Sequence, residues 1–164
     1  MNEMKTKRKK LLILFLIVST SYFIFANLET VWPEQAMKRK ISPDLRPFLE
    51  SYFSSWSKRD IEAYKSHFHE SAVIVFIENS QVRRLQSLDA FIRDQGNFLS
   101  SVTESIGEQM TSFTADEDNK AATVSAQWVL KKGGKRQKGV DRFTIIRSLG
   151  GDWKIVSLVW YINE

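Results

Sequence analysis

The sequence predicts an α+β fold in which three helices precede a strongly bent antiparallel sheet. Three observations carry this prediction. Apolar residues between Leu45 and Leu99 recur at helical spacing in three capped segments. From Ser105 onward the period changes to two, as in strands with one buried face. Turn signals then divide this half at "DEDN" (116–119), Gly133-Gly134 and Gly150-Gly151, leaving three or four long strands in a meander that ends near Asn163.

Ahead of the fold, "MNEMKTKRKK" (1–10) places five cations directly before "LLILFLIVSTSYFIFANL" (11–28), which carries no charge. Eighteen helical residues reach roughly 27 Å, enough to cross a hydrocarbon core. Flanking cations stay on the cytoplasmic side. The expectation is a transmembrane signal anchor with a cytoplasmic N-terminus and a periplasmic or extracellular C-terminal domain. A cleaved signal peptide is the competing reading, with Leu11–Val18 as its apolar region and Ser19 and Ser21, or Ala26, near the cut. Both readings export the remainder. Residues 29–41, with Pro33 and "KRK" at 38–40, read as a linker before a domain spanning 42–164.

Within that domain, Ser42 as N-cap and Pro43 at the first helical position predict a helix start. Leu45, Phe48, Leu49, Tyr52, Phe53 and Trp56 form its buried stripe. A turn at Lys58-Arg59 leads to a second helix capped by Asp60, with Ile61, Tyr64 and Phe68 on its inner face. "AVIVFIE" (72–78) is a buried strand, and Asn79-Ser80 turns it into "QVRRL". Ser87 caps a third helix bearing Leu88, Phe91, Ile92 and Leu99, with Gly96 weakening it. Ala122, Val124, Ala126, Trp128 and Leu130 then alternate with Thr123, Ser125 and Gln127. In the last strand Val156, Leu158, Trp160 and Ile162 face one way, and Trp153, Ile155, Val159 and Tyr161 the other. That strand should be covered on both faces.

Charge and composition exclude several functions. Residues 1–40 hold eight Lys/Arg against three Asp/Glu, whereas 41–164 hold sixteen of each. The domain is neutral, so no electrostatic case for nucleic acid remains. With no cysteine, disulfides, thiolate metal sites and cysteine nucleophiles are excluded. The basic tip "KKGGKRQK" (131–138) reads as a solvated hairpin turn, and "HFHE" (67–70) as two surface histidines beside a solvated Glu70. No metal site and no cofactor are expected. Asp141 and Arg142 are adjacent strand residues, so only one can face inward; a surface pair is the simpler reading. Trp128, Trp153, Trp160 and Tyr161 fill a core or a dimer face, or line a pocket.

With "FLESYFSSWSKRDIEAYKSHFHESAVIVF" in front and "DRFTIIRSLGGDWKIVSLVWY" behind, residues 43–163 resemble the nuclear transport factor 2-like (NTF2-like), or SnoaL-like, superfamily. The resemblance implies a cone: a curved sheet wrapped around three helices, often with a pocket at its open end. It implies no single activity, since isomerases, dehydratases, hydrolases and non-catalytic binding or dimerising domains share the fold. The ketosteroid isomerase branch carries a tyrosine eight residues before the Asp that opens the second helix, which matches Tyr52. Its general base falls sixteen residues after that Asp, where this chain has Phe76. Its second carboxyl corresponds most nearly to Asp141. Phenylalanine accepts no proton, so enolising chemistry of that kind lacks its base. Two functions follow as expectations. The first is a membrane-anchored interaction or dimerisation module of the cell envelope, acting as a homodimer or with an envelope protein partner. The second is a binder of a small apolar ligand, or a SnoaL-like enzyme, with a pocket around Tyr52, Tyr64, Phe76, Trp128, Asp141 and Trp160.

Overall fold

Leu45, Leu49, Tyr52, Phe53 and Trp56 are buried along one stripe of helix α1 (Leu45–Ser57). They seat it in the hollow of a six-stranded sheet, mainly against β3 (Ile106–Glu117). The computed structural model describes residues 41–163. The expected membrane segment, 11–28, and nearly all of the linker lie outside them. Among the described residues no helix is long and apolar enough to cross a membrane.

The start of α1 differs from the expectation. Residues 43 and 44 form a turn, and Leu45 N–H donates to the Ser42 carbonyl. Ser42 does not cap the helix; its hydroxyl accepts from Arg147 instead. The helix ends where predicted. Arg59 adopts a left-handed φ of +62°, and Asp60 N–H reaches back to the Ser55 carbonyl at 3.0 Å. Helix α2 (Ile61–Ser66) follows, its N-cap Asp60 accepting from Ala63 N–H at 3.0 Å.

Strand β1 runs from Phe68 to Glu78, four residues earlier than the apolar run indicates. Phe68 was expected on the inner face of α2. It is buried, but as a strand residue opposite Ile155. His67 is likewise not a surface residue: it is 8% exposed, its ring against the Tyr64 carbonyl and Phe48. Asn79 and Ser80, both at positive φ, make the tight turn into β2 (Gln81–Ser87). Ser87 caps helix α3 (Leu88–Ser101), whose buried residues are Leu88, Phe91, Ile92 and Leu99.

Strands β3, β4 (Ala121–Lys132), β5 (Lys135–Arg147) and β6 (Trp153–Asn163) form the meander. Sheet order is β2-β1-β6-β5-β4-β3. All pairings are antiparallel except β1 with β6, which run parallel. The expected alternation of β6 fails at one point. A register shift lies opposite Thr144/Ile145, so Ile155 and Leu158, assigned to opposite faces, are both fully buried.

The expected fold is otherwise present: α+β, with the helices on the N-terminal side of a curved sheet. Its core joins the stripes of α1 and α3 to Ile74, Ala126, Phe143, Ile145 and Leu158.

Candidate ligand-binding site

Sheet register brings the polar site residues to one face. Trp128 stands opposite Gly139, Ala126 opposite Asp141, and Asp141 opposite Trp160. Paired residues share a face, so Trp128, Asp141 and Trp160 all project toward the helices. Tyr52 from α1 and Tyr64 from α2 close over them, and the group lines a cavity of about 270 Å³.

The cavity has a polar end. Trp128 Nε1–H donates to Asp141 Oδ1 at 2.8 Å, and the Tyr52 hydroxyl donates to Asp141 Oδ2 at 3.3 Å. The Tyr52 and Tyr64 hydroxyls lie 2.8 Å apart. Tyr52 also packs edge-on to Phe53 and Phe143, with ring centroids 5.0 and 5.2 Å apart. Burial pushes the Asp141 carboxyl up to about 7, against the opposing pull of its Trp128 and Tyr52 hydrogen bonds. Burial also raises both phenols well above their ordinary value.

Proton counting shows what this cluster can do. With Asp141 ionised, its oxygens take the indole N–H and the Tyr52 hydrogen, and Tyr64 donates to Tyr52. No donor is left for a ligand. Protonating Asp141 adds one hydrogen and frees a hydroxyl donor toward the cavity.

The rest of the wall mixes apolar side chains, Trp56 from α1, Phe91 and Phe98 from α3, and Leu158, Trp160 and Ile162 from β6, with the polar Gln95 and Gln137. Trp160 Nε1 is buried without a hydrogen-bond partner. At the mouth, Arg84 lies 3.9 Å from Asp94.

Five of the six pocket candidates from the sequence line this cavity: Tyr52, Tyr64, Trp128, Asp141 and Trp160. Phe76 does not; its ring stacks on Trp160 with centroids 4.1 Å apart. The surface pairing of Asp141 with Arg142 is corrected, because Asp141 is 4% exposed and faces inward while Arg142 is exposed near the Tyr161 hydroxyl. Trp153 is buried away from the cavity, beneath the Arg147 guanidinium at 3.9 Å.

Sequence reasoning missed two contributors. Glu108 sits opposite Leu130 on the inner face of β3 and lines the cavity. Burial, then the nearby Asp141 charge, raises its carboxyl well above the ordinary range. Gly139 makes room for Trp128: a Cβ there would fall 2.0 Å from the indole. The signal for the glycine is its cross-strand position opposite a tryptophan. Among the described residues no cluster of three metal-ligating side chains occurs.

A curved sheet packed on three helices is the NTF2-like fold. The crystal structure of an NTF2-like protein of unknown function from Pseudomonas putida KT2440 superposes with a TM-score of 0.62 at 13% identity, covering 72% of this chain and 83% of that one. The beta subunit of the benzoate 1,2-dioxygenase from Burkholderia mallei gives 0.62 at 17% identity, over 76% and 93% of the two chains. A protein of unknown function with a cystatin-like fold from Nostoc punctiforme gives 0.61 at 10%, over 73% and 89%. Residues 43–161 match the family described as "Putative lumazine-binding", and the chain belongs to that family. No curated protein matches the sequence.

Proposed function

We propose that the domain is a small-molecule-binding module. Its ligand lies among the cavity aromatics, with one polar end against the Tyr52–Asp141–Trp128 cluster. The observation that carries this reading is the convergence of a buried carboxyl, two phenols and an indole N–H on one cavity of a few hundred Å³, as a binding site requires. Membership of a family described by ligand binding supports it. Proton abstraction in the ketosteroid isomerase manner is not part of the reading, because Phe76 occupies the base position.

The test is a ligand screen by thermal shift on the full chain in detergent, repeated with Tyr52→Phe. Loss of ligand-induced stabilisation with the unliganded melting temperature little changed is the expected result. A variant that loses stability alone, with ligand response intact, rules the reading out.

Export and membrane attachment complete the proposal, resting on the cations of 1–10 and the uncharged run 11–28. Extraction from membranes only by detergent, with protease sensitivity of the domain from the outer side, is the expected outcome. A second reading, an envelope interaction module, has its own support. Val73, Val82 and Leu85 are 45, 64 and 70% exposed on the outer face of β1 and β2, where a second copy or an envelope protein could pack. Sedimentation of wild type against Leu85→Glu tests it; equal mass for both removes this support.

A further inference from the structure

The balance of charge and aromatic surface inside the cavity goes further than its shape. Three carboxyls line it, Asp94, Glu108 and Asp141, against one cation, Arg84. Arg84 and Asp94 lie together at the mouth, and Gln86 also donates to Asp94 at 2.7 Å. Among the described residues, neither Glu108 nor Asp141 has an ion-pair partner. Asp141 at least receives two hydrogen bonds. The backbone of Glu108 exchanges bonds with the Ser57 hydroxyl, its N–H donating and its carbonyl accepting, both at 2.8 Å. Its carboxyl is half-buried in the cavity wall and, among the described residues, accepts no hydrogen bond.

We propose that the ligand of this cavity is an organic cation, an amine or quaternary ammonium, whose charge sits between the carboxyls of Glu108 and Asp141 and against the tryptophan and phenylalanine faces. The proposal rests on the binding reading above and names its ligand class. A buried carboxylate without a counter-ion costs free energy, and a cation supplied by the ligand offsets that cost. Aromatic faces attract the same group through their quadrupoles, most strongly where water is excluded. The protein itself provides an example of such a contact, the Lys132 ammonium lying 5.4 Å over the Phe98 ring. Lys132 and Lys135 belong to the neighbouring groove they share with Glu104, outside the lining of the cavity.

The charged and titratable side chains facing the cavity are Tyr52 on α1, Tyr64 on α2, Asp94 on α3, Arg84 on β2, Glu108 on β3 and Asp141 on β5. Strands β4 and β6 contribute Trp128, Leu130, Leu158, Trp160 and Ile162, all uncharged. Glu108 and Asp141 hold protons beyond the ordinary carboxylate range. A bound cation therefore drives proton release, and affinity rises with pH.

Calorimetric titration of the full chain in detergent tests this with three probes of similar shape: benzyltrimethylammonium, its neutral isostere neopentylbenzene, and a neutral aryl ketone. The ammonium should bind more tightly than the isostere, and by about tenfold more at pH 8 than at pH 6 if roughly one proton is released over part of that range. Glu108→Gln should weaken it about tenfold, which corresponds to one pKa unit of interaction, while leaving neopentylbenzene unchanged. Unchanged binding of the neutral probe also reports that the variant is folded. Binding of the ketone or isostere in preference to the ammonium overturns the cation proposal and leaves the binding reading standing. An ammonium affinity indifferent to Glu108→Gln overturns it as well. Failure of all three probes overturns it and removes the binding reading too.

Discussion

At position 139 the site depends on the absence of a side chain. Gly139→Ala should force the Trp128 indole out of its place and strain its bond to Asp141. Overpacking of this kind costs about 1–3 kcal/mol, readable as a lower urea midpoint. Asp141 makes a second prediction. Its folded value, about 7, is above the unfolded carboxylate value, so the native state binds the extra proton. The stability it contributes is complete below about pH 4, the unfolded value, and is lost as pH rises through about 7. Asp141→Asn should flatten that decline in urea unfolding measured from acid to neutral pH. Glu108, shifted in the same direction, should leave a residual slope. Tyr52 was legible in the sequence because it breaks an apolar stripe. Glu108 was not: in "IGEQMTSF" it looks like the polar half of an ordinary exposed alternation, and only the register with Leu130 turns it inward.

Among the elements, α2 is short and holds Tyr64 over the cavity, so its cap matters beyond its length. Removing the bond from Ala63 N–H to Asp60 with Asp60→Ala should cost about 1 kcal/mol, while Asp60→Asn should retain most of it, by urea denaturation. Periodicity located all three helices, since Leu45-Leu49-Tyr52-Trp56 and Leu88-Phe91-Ile92-Leu99 admit no strand reading. Boundaries were harder. Phe68 fits the inner face of a helix or the start of a strand, and strand pairing with Ile155 decides between them. The irregularity between Ile155 and Leu158 leaves no mark in the sequence, because every residue from 153 to 162 except Lys154 and Ser157 is apolar.

For the whole molecule, Arg147 ties the chain entering α1 to the sheet. Its guanidinium donates to both carboxyl oxygens of Asp44, to the Ser42 hydroxyl and to the Gly151 carbonyl, and lies over Trp153. Arg147 holds the Asp44 carboxyl far below its ordinary value. That contribution is present above the unfolded carboxylate value and is lost as pH falls below about 4. Arg147→Met should lower stability at neutral pH and weaken the acid-induced loss, as followed by circular dichroism. The α+β class was legible from segregated helices and strands. The parallel pairing of β1 with β6 was not, because it joins segments about eighty-five residues apart and no local pattern encodes it.

That pairing also governs the order in which the domain can be assembled. Strand β6 is made after the other five yet lies between β1 and β5, so it divides the sheet into β2-β1 and β5-β4-β3 until it arrives. A nascent chain can form its helices early, but the cavity has no complete wall before Trp160 is in place. Closure of the sheet is therefore the last step of assembly, with the edges of β1 and β5 unpaired until β6 enters between them.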